Sequence, residues 1–236
     1  MEYSSYAQTQ LNTVKDRISQ AAQKADRNPG DIELVGASKK QPVSLIRAFV
    51  AQGLRSLGEN YLQEAQDKQE ALKDLDISWH FIGAIQSNKT NIIANQFDWV
   101  HSVDRLKIAQ RLALQRKSDV PLNIVVQLNL DKEDSKAGVT AEQLPTLLES
   151  VVSLEQLSCR GFMLIPAPRD NTDDQRSIYA KARSLMEQNN LRFGMHMDTL
   201  SMGMSHDLEA AIAEGSTMVR IGTDLFGARS TNVASG

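Results

Sequence analysis

The chain has 236 residues, with 26 Lys and Arg against 29 Asp and Glu and a formal net charge of -3. Near-balanced charge gives no general attraction to nucleic acid or an anionic membrane, and a single cysteine, Cys159, can make neither an internal disulfide nor a cysteine-based metal site, which suits a reducing cytoplasm. The length fits one barrel-sized domain; no apolar stretch is long enough to span a bilayer, and the first residues lack a signal-peptide pattern.

Residues 6–27 read as an amphipathic helix, because Leu11, Val14, Ile18, Ala21 and Ala25 recur at three- and four-residue spacing among charged neighbours. That stripe needs cover, either from the rest of the fold or from a partner protein. The apolar run Leu34-Val35-Gly36-Ala37 then ends abruptly at Ser38-Lys39-Lys40, and Pro42 opens a helix. This is the pattern of a buried strand that delivers an amine into a loop. Lysines there can attack a carbonyl compound or an aldehyde cofactor, or can simply be two solvated charges. From this point the chain alternates. Helices are expected at 43–53, 60–73, 88–95, 104–117, 141–151, 171–189 and 205–214, interleaved with strands at 54–58, 79–83, 98–102, 122–129, 158–164, 192–199 and 217–221. About eight strand–helix repeats in a chain of this length predict an α/β fold, a single (β/α)8 TIM-like barrel with an added N-terminal helix. A doubly wound open sheet is the runner-up, but the first βα turn lacks a glycine-rich dinucleotide fingerprint. Residues 230–236 are small and polar and are expected to fray.

Two stretches late in the chain suit an anion. Thr199-Leu200-Ser201-Met202-Gly203-Met204-Ser205 places a glycine between serines before a helix start, and Val219-Arg220-Ile221-Gly222-Thr223-Asp224 ends the last strand. Barrels frequently bind phosphate between the loops after strands seven and eight, although serine-rich loops also cap helices. Arg220 is either a surface or salt-bridged arginine or, if inward, a cationic donor to a ring nitrogen or carboxylate. His80 and His101 show no metal-ligand spacing and are best read as packed or hydrogen-bonded side chains. Strand alternation over 192–199 puts His196 and Asp198 on one side, and His206 is expected to face water. Glu59 and Asn60 suit either orienting a ligand or Lys39, or capping the next helix; the polar loop 132–138 suits either a ligand cover or an ordinary connection.

Taken together, Leu34-Val35-Gly36-Ala37-Ser38-Lys39-Lys40-Gln41-Pro42, Gly58-Glu59-Asn60-Tyr61-Leu62-Gln63-Glu64, Trp79-His80-Phe81-Ile82-Gly83-Ala84-Ile85-Gln86-Ser87-Asn88-Lys89, Ser135-Lys136-Ala137-Gly138 and the two late loops resemble the pyridoxal 5'-phosphate (PLP) homeostasis proteins, often called the YggS/PROSC family. The resemblance spans about residues 6–229 and implies a barrel like the N-terminal domain of alanine racemase. It implies that Lys39 holds PLP as an internal aldimine, that Ser201, Gly222 and Thr223 lie at the phosphate, that Arg220 approaches the pyridine nitrogen, and that Asn60 and His80 are pocket residues. Lys40 stands where several members have Thr, and Met163-Leu164-Ile165-Pro166 departs modestly from the family's Met-x-Met pattern. The role implied is non-catalytic: supply and balance of cytoplasmic PLP (vitamin B6), with effects on amino-acid and keto-acid metabolism and with apo PLP-dependent enzymes as partners. One alternative is a PLP-dependent amino-acid racemase, which needs a second acid or base that no tyrosine convincingly supplies: Tyr3 and Tyr6 precede the barrel, and Tyr61 and Tyr179 fall in expected helices. The other is a PLP-responsive interaction protein. A monomer is expected, since no room follows Gly227 for a racemase-like second domain. No metal, nucleic-acid or membrane partner is expected.

Overall fold

Eight strands, each followed by a helix, pair in chain order and close on themselves in this computed structural model, which describes residues 3–131 and 137–227. They are β1 Glu33–Ala37, β2 Ser56–Glu59, β3 Ser78–Phe81, β4 Trp99–Val103, β5 Leu122–Leu128, β6 Leu157–Leu164, β7 Thr199–Ser201 and β8 Met218–Ile221. Every pairing is parallel, and β8 returns to β1 through Glu33–Met218, Leu34–Val219, Val35–Arg220 and Gly36–Ile221. Closure removes the sheet edges that an open array would leave. The helices are α1 Ser4–Lys24, α2 Val43–Ala51, α3 Leu62–Ala71, α4 Thr90–Gln96, α5 Leu106–Gln115, α6 Leu144–Val151, α7 Thr172–Phe193, α8 Leu208–Ala213 and the single turn α9 Thr223–Phe226. Ser135 and Lys136, most of the loop 132–138 and the tail 230–236 lie outside the described residues.

Side-chain alternation decides what faces the barrel interior. A Cβ on Gly58 would touch Val35 and Ile82 inside the barrel, whereas one on Gly36 would meet Leu54 and Phe226 in the layer between strands and helices. Hence Glu33, Val35 and Ala37 line the interior while Leu34 and Gly36 face the helices. The apolar stripe of α1 is covered from within the chain: Leu11, Val14, Ile18 and Ala21 are buried with Phe49 of α2, Leu208 and Ile212 of α8 and Phe226 of α9. Each large apolar side chain buried in this way contributes about 1.5–3 kcal/mol.

One expected strand is not there. The segment 192–199 was expected to be extended, but α7 runs on to Phe193 and is stopped by Gly194, whose φ of 61° is the left-handed conformation of a helix C-cap. β7 is only Thr199–Ser201, so His196 and Asp198 do not share a strand face; both are exposed, and Asp198 pairs with Arg160 at 2.5 Å. The helix-forming run through Leu185, Met186, Glu187 and Gln188 outweighs the short apolar segment that follows.

Candidate functional site

Lys39 owes its position to a tight turn. After β1 the Gln41 N–H donates to the Ser38 carbonyl at 3.1 Å, and Lys40, next to Lys39, has φ of 60°, the positive value a type II turn requires at its third residue. A non-glycine residue there is strained by about 1–2 kcal/mol. What offsets the strain is a buried ionic knot that the sequence did not suggest. Lys68 of α3, a regular surface position by spacing, buries its ammonium beneath the turn. Its Nζ donates to the Ser38 carbonyl (2.6 Å), Glu59 Oε1 (2.6 Å) and Glu64 Oε1 (2.7 Å), while Ser38 Oγ donates to Glu59 Oε1 at 2.6 Å. Glu64 in turn accepts from the Lys40 N–H. Glu59 therefore does not cap α3; it anchors the turn, and burial pushes its carboxyl upward against the opposing pull of Lys68.

Next to this turn, at the C-terminal mouth of the barrel, a cavity of about 190 Å³ is lined by Ala37, Lys39, Gln41, Met204, Ser205, His206, Arg220, Gly222, Thr223 and Gly227. The fold thus brings Lys39, Arg220, Gly222 and Thr223 together. Asn60, expected in the same pocket, does not line this cavity; with Tyr61 and Gly83 it lines a separate cleft of about 550 Å³ at the ends of β2 and β3. A Cβ on Gly83 would fall 2.1 Å from the Asn60 carbonyl oxygen, so only glycine permits that approach. The Asn60 Oδ1 atom is buried and has no hydrogen-bond partner. Tyr179 does not line this cavity; its buried hydroxyl donates to Asp207 at 2.6 Å, and burial raises its pKa.

Arg220 points inward and is buried. Its Nη1 donates to the Ser201 carbonyl and to Ser201 Oγ (2.6 Å), and its Nη2 donates to the Leu164 carbonyl at 3.0 Å. Burial lowers its pKa to about 10, which leaves it charged at neutral pH. Ser201 is fully buried behind Arg220 and does not line the cavity; Ser205, at the far end of the same loop, does. The loop can turn because Gly203 has φ of 95°, and a Cβ there would strike Ala211 at 2.7 Å.

His80 sits below this layer, fully buried in the barrel interior, and bonds His101 rather than a cavity atom: its Nδ1 is 3.0 Å from His101 Nε2. Burial lowers the pKa of His80 to about 3, and burial with the neighbouring His80 and Arg220 lowers that of His101 well below its ordinary value. The fold therefore requires neutral rings. A group whose folded pKa is depressed contributes stability above its unfolded pKa, about 6.5, and loses it as pH falls toward the folded value. His80 alone should cost about 2 kcal/mol of stability by pH 5 relative to neutral pH. Urea unfolding at pH 7.5 and pH 5 measures this, and a flat profile would refute neutral buried imidazoles.

Among the described residues no group of three or more His, Cys, Asp or Glu could hold a metal ion. Burial pushes the Cys159 thiol up to about 12. No described helix is long and apolar enough to cross a membrane.

The comparisons with known proteins agree with one another. Residues 9–230 match the alanine racemase N-terminal domain. The chain is 54% identical over 217 residues to the pyridoxal phosphate homeostasis protein of Pseudomonas aeruginosa, covering 92% of this chain and 93% of that one. It is 45% identical over 223 residues to the protein of the same name from Escherichia coli, covering 93% and 95%. Among solved structures it is similar to PipY of Synechococcus elongatus with PLP bound, at 34% identity and a TM-score of 0.80, over 89% of this chain and all of that one. Alanine racemase from Corynebacterium glutamicum, at 16% identity and a TM-score of 0.64, shares the fold over 96% of this chain and 63% of its own. The matched span and these identities over nearly the whole of each chain show that this chain belongs to the pyridoxal phosphate homeostasis protein family, whose barrel is that of the alanine racemase N-terminal domain.

Proposed function

We propose that this chain is a non-catalytic PLP-binding protein that holds the cofactor at Lys39 and serves intracellular PLP homeostasis. The observation that carries the reading is the convergence of Lys39, Arg220, Gly222 and Thr223 on one 190 Å³ cavity. The residues fit the group: an amine for its aldehyde, backbone N–H groups and hydroxyls for its phosphate, and a fixed guanidinium for its ring. When bound, PLP supplies an electrophilic aldehyde carbon that a lysine amine can attack.

Within this reading each residue has one task. Lys39 provides the nucleophile, and the Ser38–Glu59–Lys68 knot sets its approach. Gly222, Thr223 and Ser205 hold the phosphate. Ser201, assigned to the phosphate from the resemblance, instead orients Arg220 from below. Arg220 would serve the ring nitrogen as a donor, and with the cofactor bound it would disfavour protonation there and weaken the ring as an electron sink.

The phosphate loops are braced from α1, at a residue the sequence did not single out. Arg17 Nε donates to Glu209 at 2.9 Å, its Nη2 donates to the Ser205 carbonyl at 3.0 Å, and its Nη1 donates to Asp224. Asp224, in the first turn of α9, would otherwise repel a phosphate nearby. Arg17→Ala should leave the barrel folded and weaken PLP binding roughly tenfold, about 1.4 kcal/mol. Fluorescence titration with PLP measures this; unchanged affinity would show that α1 has no part in the site.

The racemase alternative requires a proton donor or acceptor on each face of a substrate carbon. Lys39 supplies one face, and no tyrosine lines the described cavity to supply the other. The decisive experiment incubates the PLP-loaded protein with L- and D-alanine in deuterated water and, separately, with an apo PLP-dependent enzyme. Transfer of PLP without deuterium at the α-carbon supports the homeostasis role. Turnover with exchange would make the protein an enzyme, and failure of both would favour partner regulation. We further assign a cytoplasmic monomer; a stable dimer by light scattering at low concentration would correct the second part.

A further inference from the structure

Polar side chains run unbroken through the barrel interior, from the pocket to the opposite mouth. Arg220 Nη1 donates to Ser201 Oγ at 2.6 Å, and Ser201 Oγ lies 2.9 Å from His101 Nδ1. His101 Nε2 lies 3.0 Å from His80 Nδ1, and His80 Nε2 lies 3.2 Å from Ser78 Oγ and 3.5 Å from Glu33 Oε1. Ser201, His80 and His101 are completely buried, and the His80 ring stacks on Trp99 with planes 2° apart. The two ends are wet. Arg220 lines the cofactor cavity, and Glu33, its side chain 38% exposed, lines a cleft of about 500 Å³ on the other face with Ser56.

Such a column has a direction. A guanidinium only donates, a carboxylate only accepts, and a neutral imidazole does one of each. With both ends fixed, one arrangement satisfies every link: Arg220 donates to Ser201, Ser201 Oγ–H to His101 Nδ1, His101 Nε2–H to His80 Nδ1, and His80 Nε2–H toward Glu33 and Ser78. Reversal would aim the His80 lone pair at the carboxylate and would leave the Ser201 proton without a place along the column. The Ser56 hydroxyl also donates to Glu33, which holds the carboxylate at the column's foot.

We propose that Glu33, on the face opposite the pocket, sets the polarity of this column: it holds His80 and His101 as Nε2–H tautomers, directs the Ser201 hydroxyl proton to His101 so that the Oγ lone pairs are left to Arg220, and so fixes the guanidinium at the cofactor cavity. Glu33, His80 and His101 are then positioning residues for a site none of them touches. The last link rests on the PLP reading; the tautomers do not.

The test is long-range proton–nitrogen correlation on the ligand-free protein labelled with 15N-histidine. In the wild type both rings should be neutral Nε2–H tautomers; an Nδ1–H tautomer at either position overturns the proposal without any variant. Glu33→Gln, whose side-chain carbonyl still accepts, should preserve the pattern, whereas Glu33→Leu should invert or mix it; unchanged tautomers in folded Glu33→Leu would overturn it. PLP affinity of Glu33→Leu should fall about fivefold, the equivalent of one misdirected hydrogen bond. Altered tautomers with unaltered affinity would disconnect the column from Arg220. Expected tautomers in a wild-type protein that binds no PLP would leave the polarity claim standing and defeat the functional reading instead.

Discussion

Lys39→Ala should fold normally and lose covalent retention of PLP. The side chain lines a cavity at the barrel mouth, so its removal opens no void in the core, and Ser38, Glu59, Glu64 and Lys68 hold the turn beneath it. Phosphate and ring contacts would remain, but the bond that makes release slow would not. Retention through desalting should drop roughly a hundredfold or more, a loss of at least about 2.7 kcal/mol. Borohydride reduction followed by peptide mass spectrometry reads the attachment site directly. Wild-type protein should carry PLP on residue 39; trapping on Lys40 or Lys136 would move the site. Lys136 is outside the described residues, so this chemical readout is the one that tests it.

Lys68→Met should be among the most destabilising single substitutions in the chain. The Lys68–Glu59 pair is almost wholly buried, with side-chain exposures of 5% and 0%, and Glu59 Oε2 has no partner of its own. Removing the ammonium strands a buried carboxyl and releases the Ser38 carbonyl, for an expected cost of about 3–5 kcal/mol. Burial already pushes the Glu59 pKa up, and loss of Lys68 removes the pull that opposes it. The sign follows: stability linked to a raised carboxyl is present below its unfolded pKa and is lost as pH rises through the folded one. The deficit of Lys68→Met should therefore be larger at pH 8 than at pH 5. Glu59→Leu in the same chain should recover much of it, since an apolar replacement of both partners leaves no uncompensated charge. Thermal unfolding of the single and double variants at both pH values measures all three expectations. A small, pH-independent deficit in Lys68→Met would show that the knot is solvated in solution.

Much of the barrel could be read from local pattern. The strand ending at Lys39, the late loops around Ser205 and Thr223, and the alternation between them depend on residues adjacent in the chain, where apolar period and turn chemistry are visible. The error at 192–199 arose from the same locality: a short apolar segment after a polar one looks like a strand until Gly194 is seen capping a helix that had not yet ended. Lys39, Arg220, Gly222 and Thr223 were legible because they stand at strand ends, and the barrel collects strand ends at one mouth. Ser201 was legible as a loop serine, but its direction was not; a three-residue strand decides that it faces the interior.

What the sequence determined by itself was the repeat, hence the barrel, and the positions at which chemistry could be displayed. Tertiary structure alone decided which side chains answer one another. Arg17 and Asp224 are 207 residues apart, His101 and Ser201 are 100 apart, and Lys68 and Ser38 are 30 apart. No periodicity links such positions, because each contact exists only after eight strands have closed and set their register. The same closure removes water from His80, His101, Glu59 and Arg220 and so sets their protonation, which composition cannot express.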